Sequence, residues 1–146
     1  MSYLSTRLHI VWSTKHREPL IQREWQSRLH GYMRGILENL KAKVFVIGGV
    51  QDHVHVYCSL PATITIADLV SNVKSGSSAW VHDFLQQPFG WQGGYSAFTM
   101  SKSADEDVIG YILQQEEHHK RVSYQEELIR MLEKFQIPYD PRYVFL

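Results

Sequence analysis

Two histidines separated by one apolar residue stand in the run Gln51-Asp52-His53-Val54-His55-Val56-Tyr57. β-branched and aromatic residues dominate this run, so it reads as a strand, along which side chains alternate between the two faces. His53, His55 and Tyr57 then point one way, while Val54, Val56 and Cys58 point into whatever lies behind the sheet. Two neutral imidazoles held one pleat apart can close on a divalent cation if a further ligand arrives from elsewhere. Taken alone, such a triplet is more often a pair of half-exposed surface histidines.

A second constellation lies in Ser103-Ala-Asp-Glu-Asp-Val-Ile-Gly-Tyr-Ile-Leu-Gln-Gln-Glu-Glu-His-His. Ser103 with Glu106 forms a capping-box signature, and Asp105 to Asp107 place negative charge at the positive end of a helix dipole. Val108, Ile109, Ile112 and Leu113 make an apolar stripe. Beside it, Tyr111, Gln115 and His118 stand at i, i+4 and i+7, which lines them up on one face. A tyrosine and an amide on one solvated helix face are often no more than that.

Together, the His-apolar-His strand and the later Tyr-x-x-x-Gln helix resemble the HUH endonucleases that use one catalytic tyrosine, and more narrowly the transposases of the IS200/IS605 family. The resemblance runs through His9-Ile-Val-Trp-Ser-Thr-Lys-His-Arg-Glu-Pro-Leu, Gly48-Gly-Val-Gln-Asp-His-Val-His-Val, Gly94-Tyr-Ser-Ala-Phe-Thr-Met-Ser, Tyr111-Ile-Leu-Gln-Gln-Glu-Glu-His-His and Pro138-Tyr-Asp-Pro-Arg-Tyr. It implies that His53, His55 and Gln115 bind a divalent metal, Mg²⁺ or Mn²⁺, and that Tyr111 is the nucleophile. Replication relatives can carry a second tyrosine one turn later; Gln115 stands there, so the chain reads as the one-tyrosine type. The implied reaction is attack by Tyr111 on a phosphodiester of single-stranded DNA, leaving a 5′-phosphotyrosine and a free 3′-hydroxyl, followed by rejoining. The implied partners are single strands with hairpin ends and a second copy of the chain, in a homodimer whose tyrosine helices complete each other's sites. The alternative is a host-retained protein that binds hairpin DNA without cutting it. A cupin-type metal barrel also uses His-x-His, but needs more strands than this helix-rich chain offers.

The chemistry fits the residues. Two histidines and a glutamine are neutral ligands, which leave a bound cation its full charge for a phosphodiester oxygen. A tyrosine has an ordinary pKa of about 10 and must lose its proton to attack. No Gly-x-x-x-x-Gly-Lys-Ser/Thr loop is present, in keeping with strand transfer that needs no nucleotide hydrolysis.

The chain has 146 residues, 44% of them hydrophobic, and is expected to form a single domain over 1–146. Fifteen basic residues balance fifteen acidic ones, so a DNA-binding surface has to come from segregation of charge. Residues 1–43 carry Arg7, Lys15, Arg17, Arg23, Arg28, Arg34, Lys41 and Lys43 against Glu18, Glu24 and Glu38, while acids cluster in 105–133. Arg7, Lys15, His16, Arg17 and Lys74 are the expected DNA contacts, with Trp12, Trp80 or Trp91 as stacking platforms. Cys58 has no disulfide partner, and neither a signal peptide nor a long apolar run is present, so a cytoplasmic location in a prokaryotic cell is expected.

These residues need a scaffold. Residues 3–13 alternate as a first strand; Trp25, Leu29, Tyr32, Ile36 and Leu40 recur at helical spacing over roughly 22–41. Val44 to Val50 pairs with the histidine strand, and Thr65-x-x-Asp68 caps a second helix from about Ile66. Tyr95 to Met100 forms the fourth strand; the tyrosine helix follows, and Ser123-x-x-Glu126 caps a last one bearing Leu128, Met131, Leu132 and Phe135. The order predicts an α+β, ferredoxin-like βαββαβ sandwich with an antiparallel sheet and extra C-terminal helices. One sheet face is expected to stay open, exposing Arg7, His9, His53, His55 and Tyr57.

Overall fold

The computed structural model describes residues 1–145, so the expected domain limit at 146 lies just outside the described residues. The elements are β1 (Leu8–Ser13), α1 (Arg23–Asn39), β2 (Val44–Gly49), β3 (His53–Cys58), α2 (Ile66–Trp80), β4 (Ser96–Thr99), α3 (Asp105–Leu113), α4 (Gln115–His118) and α5 (Tyr124–Lys134). The four strands form an antiparallel sheet in the order β2-β3-β1-β4. This is the expected βαββαβ arrangement, with β3 placed beside β1, so that His55 pairs with Val11 and Tyr57 with His9.

One face of the sheet carries Leu8, Ile10, Trp12, Val54, Val56 and Cys58 against Trp25, Leu29, Met33 and Leu37 of α1 and Leu69, Val70 and Val73 of α2. Burial in this layer pushes the Cys58 thiol up to about 12, which keeps it an inert core group. Helix α2 starts as read, Thr65 accepting from the Asp68 amide, and runs on as a π turn over Val81–Leu85.

The other face is not open, and here the expectation fails. His9, His53, His55 and Tyr57 are all buried. Val46 and Tyr57 meet Val108 and Ile112 of α3, while Val11 and Phe98 meet Tyr124, Leu128 and Leu132 of α5. The C-terminal helices therefore cover the face with two apolar patches, and the histidines fill the polar seam between them. Gly48 lets α3 come close, because a Cβ there would lie 2.6 Å from the Ile112 carbonyl oxygen. Gly49 turns the chain with φ +150, a region that disfavours side chains.

The tyrosine helix differs from its reading at both ends. A 3₁₀ turn over Lys102–Ala104 precedes it, Ala104 is its N-cap, and Ser103 Oγ bonds Ser101 Oγ instead of capping. Its C-terminal end breaks at Gln114, whose ψ of 17° separates α3 from α4. Helix α5 begins as read: Ser123 accepts from the Glu126 amide, and its hydroxyl donates to Glu126 Oε1.

Candidate catalytic and metal centre

The stiff register of β3 presents His53 and His55 on one face, as the alternation requires. The Nδ1 of His53 lies 2.7 Å from Asp52 Oδ1, so a neighbouring carboxylate orients the ring and leaves Nε2 facing inward. The Nδ1 of His55 lies 2.7 Å from His9 Nε2. Burial holds His9 down at about 3, so it is a neutral ring, and its contact with Nδ1 leaves the Nε2 of His55 facing inward.

The group on which these nitrogens converge is Glu127 of α5. Its Oε1 lies 3.0 Å from His55 Nε2, 3.0 Å from His119 Nε2 and 3.3 Å from His53 Nε2. Glu127 is 2% exposed. Burial alone would raise its carboxyl, but hydrogen bonds from His119, His53 and His55 outweigh burial and hold it well below the usual carboxylate range. Burial likewise favours neutral His53 and His55; for His53 the hydrogen bonds with Asp52 and Glu127 win and raise it to about 9, while His55 stays lowered.

His53, His55, His119 and Glu127 offer ligand atoms all within 4.8 Å of one another. Four such donors crowded in a dry pocket need a positive charge among them, whether protons or a divalent cation, and imidazoles with one carboxylate are an ordinary metal donor set. The residues fit a metal ion. Gln115, 1% exposed, joins from α4: its Oε1 lies 3.1 Å from His53 Nε2, and its Nε2 donates to Glu127 Oε2 at 3.1 Å.

Tyr111 reaches the same group from α3. Its hydroxyl donates to Glu127 Oε2 and lies 3.5 Å from His118 Nε2, and its ring stands edge-on to His55 at 5.8 Å. Burial and the adjacent Glu127 carboxylate hold the phenol well above its ordinary value. The structure thus brings together Tyr111, His53, His55 and Gln115, and adds Glu127, His119 and His9, whose roles sequence reasoning missed. Glu127 carried a signal: it sits at i+3 from Tyr124 and i−1 from Leu128, inside the stripe α5 buries, where a carboxylate needs a partner.

The expected DNA contacts scatter. Arg7 pairs with Asp105 at 3.1 Å, which in turn accepts from the Tyr57 hydroxyl. Arg17 donates to the Phe145 carbonyl at 2.6 Å, and Lys74 donates to the carbonyls of Gln92 and Gly94. Lys15 and His16 are exposed beside them. Of the tryptophans, Trp12 is buried against Trp91, and Trp80 stacks on Tyr32 at 5.3 Å.

The sequence model of the family described as Transposase IS200 like matches residues 2–115, which take in the strand histidines, Tyr111 and Gln115. The chain belongs to the IS200-like transposase family. His119 and Glu127 of this transposase lie beyond the matched residues. Two solved structures share its fold. A putative transposase from Deinococcus radiodurans is 24% identical with TM-score 0.61, over 79% of this chain and 95% of the other. A REP-associated tyrosine transposase bound to a REP hairpin is 14% identical with TM-score 0.61, over 84% of this chain and 76% of the other. No curated protein sequence matches the transposase. Among the described residues, no helix is long and apolar enough to cross a membrane.

Proposed function

We propose that this transposase is a single-domain, one-tyrosine HUH endonuclease and strand transferase acting on single-stranded DNA. The observation that carries the reading is the convergence of the Tyr111 hydroxyl and both β3 histidines on one buried carboxylate, Glu127, in a chain of this family. His53, His55, His119 and Glu127 would hold the metal, with Gln115 bridging His53 to Glu127. Three imidazoles and one carboxylate suit Mn²⁺ better than Mg²⁺, which prefers oxygen donors. Held by these residues, a divalent cation would supply positive charge for a phosphate oxygen and for the transition state.

Tyr111 provides the nucleophile. Its oxygen attacks phosphorus, the P–O3′ bond breaks, and the strand ends as a 5′-phosphotyrosine plus a 3′-hydroxyl. The Tyr111 hydroxyl is oriented by Glu127 and gives its proton to His118 Nε2, 3.5 Å away, which returns it to the departing O3′. The linkage conserves the phosphodiester's energy, so a 3′-hydroxyl can reverse the step and rejoin a strand.

Hairpin-bearing single strands are the proposed substrate, by likeness to the hairpin-bound relative. Lys15 and His16, exposed in the loop after β1, are the proposed contacts outside the centre, while Arg7, Arg17 and Lys74 position their loops through the partners described above. Incubation of the protein and Mn²⁺ with a hairpin-bearing single strand from its own gene's flanks is expected to yield a denaturant-stable adduct. Tyr111→Phe should abolish the adduct and keep DNA binding. An adduct that persists in the variant removes Tyr111 from the mechanism; binding without any adduct makes the chain a non-catalytic hairpin binder.

A homodimer with shared sites is part of the proposal, although one chain supplies every group named here. Mixing Tyr111→Phe with His53→Ala chains should restore cleavage if the sites are shared. A dead mixture despite demonstrated subunit exchange leaves each chain to work alone.

A further inference from the structure

Tyr111 stands on a ridge between two cavities of unlike character. The first, about 470 Å³, is walled by Met100, Ala104, Val108, Met131 and Phe135. The second, about 410 Å³, lies over Gln114, Glu117, Arg121 and Val122. Tyr111, His118 and Arg130 line both. Helix α5 builds this ridge by its period: Glu127, Arg130, Met131 and Lys134 fall at i, i+3, i+4 and i+7, so the buried carboxylate and two exposed cations share one face. Among the described residues, Arg121, Arg130 and Lys134 make no ion pair, although Glu117 pairs with Lys120.

From this geometry we infer that the DNA strand crosses Tyr111 with an asymmetric grip: the nucleotide on one side of the attacked phosphate is held by its base, in the first cavity, and the nucleotide on the other side only by its backbone, in the second. This rests on the proposed function. An apolar cavity with two thioethers and a phenyl ring suits a flat base drawn out of its stack, and the cationic rim of Arg130 and Lys134 suits the phosphates beside it. The second cavity offers Arg121 and Arg130 for phosphate and, beyond the Tyr111 and His118 rings it shares with the first, no aromatic or sulfur wall for a base. Sequence preference next to the cut should therefore be one-sided.

The methionines report directly on this. The chain has four; Met100 and Met131 line the first cavity, Met33 is fully buried on the core face of α1, and Met1 is exposed. With methyl-labelled methionine in the metal-free Tyr111→Phe protein, a mixed-sequence single-stranded heptamer is titrated by NMR and by fluorescence anisotropy, alongside an abasic heptamer. The base-bearing strand should shift the Met100 and Met131 methyls by ring currents and leave Met1 and Met33 in place. The abasic strand should bind about 10-fold more weakly, as loss of one stacked base implies, without moving any methyl. Arg130→Ala should weaken both strands alike and flatten the salt dependence by about one phosphate contact. Binding with still methyls, or equal shifts from the abasic strand, overturns the asymmetric grip while the tyrosine chemistry stands. A protein that binds neither strand overturns both.

Discussion

At the scale of single residues, Glu127 changes the chemistry expected of the centre. Two histidines and a glutamine would form a neutral, weakly binding site; a buried carboxylate facing three imidazoles makes an anionic one. Glu127→Gln keeps the shape and removes the charge. Loss of an outer-shell partner alone costs roughly 10- to 100-fold in metal affinity, so if Glu127 holds the metal as proposed, loss of its charge should cost no less in a calorimetric Mn²⁺ titration, and an unchanged affinity would exclude Glu127 from the site. The motif residues His53, His55, Tyr111 and Gln115 were legible because their spacing is local. Glu127 was not, since nothing in its neighbourhood names a partner 72 residues away. A second residue outside the centre sets an acid limit. His30 Nε2 has no hydrogen-bond partner among the described residues, and burial lowers this imidazole from 6.5 to about 4. The unfolded chain therefore takes up the proton first, so this stability term is full above pH 6.5 and is lost as pH falls towards 4. His30→Gln should flatten melting temperature against pH across that window, relative to the unsubstituted protein.

Among the elements, α3 is held by backbone contact more than by capping. Its apparent capping box is unused, and the helix instead rests on Gly48, with Val108 and Ile112 against Val46 and Tyr57. A methyl group at position 48 would meet main chain, which has no rotamer to yield. Gly48→Ala is expected to cost about 1–3 kcal/mol in denaturant unfolding, and to slow adduct formation by moving Tyr111 on the same helix. A variant as stable and as active as the original would mean that α3 is placed by α5 alone. Helix and strand boundaries such as Arg23–Asn39 and Val44–Gly49 were readable from periodicity to within a few residues, whereas the first strand begins at Leu8 and not at residue 3. The cover over the second sheet face was not, because Val11, Phe98 and Tyr57 alternate with histidines and so read as a wet surface; only the packing of α3 and α5 makes that seam dry.

Over the whole molecule, charge is sorted differently from its order along the chain. The basic N-terminal segment is largely spent: Arg7 on Asp105, Arg23 on Glu116, Arg34 on Glu38 and the Val44 carbonyl, and Arg17 on Phe145. The nominally acidic C-terminal stretch supplies Arg121, Arg130 and Lys134, which make no ion pair among the described residues, beside Tyr111. With no net charge, long-range attraction for duplex is weak. Affinity for a hairpin-bearing single strand should exceed that for blunt duplex of the same sequence and fall as salt rises, measured by anisotropy over a salt series; equal affinities would place recognition in the backbone alone.

The span by which the family is recognised ends at residue 115, whereas the carboxylate at the heart of the centre comes from residue 127. Kinship and cooperativity thus have different borders in this chain. A fragment trimmed to the recognisable part would keep every motif residue yet strip Tyr124, Leu128 and Leu132 from Val11 and Phe98. Its histidines would meet water, its bared strands would offer an adhesive surface, and it should be recovered as aggregate.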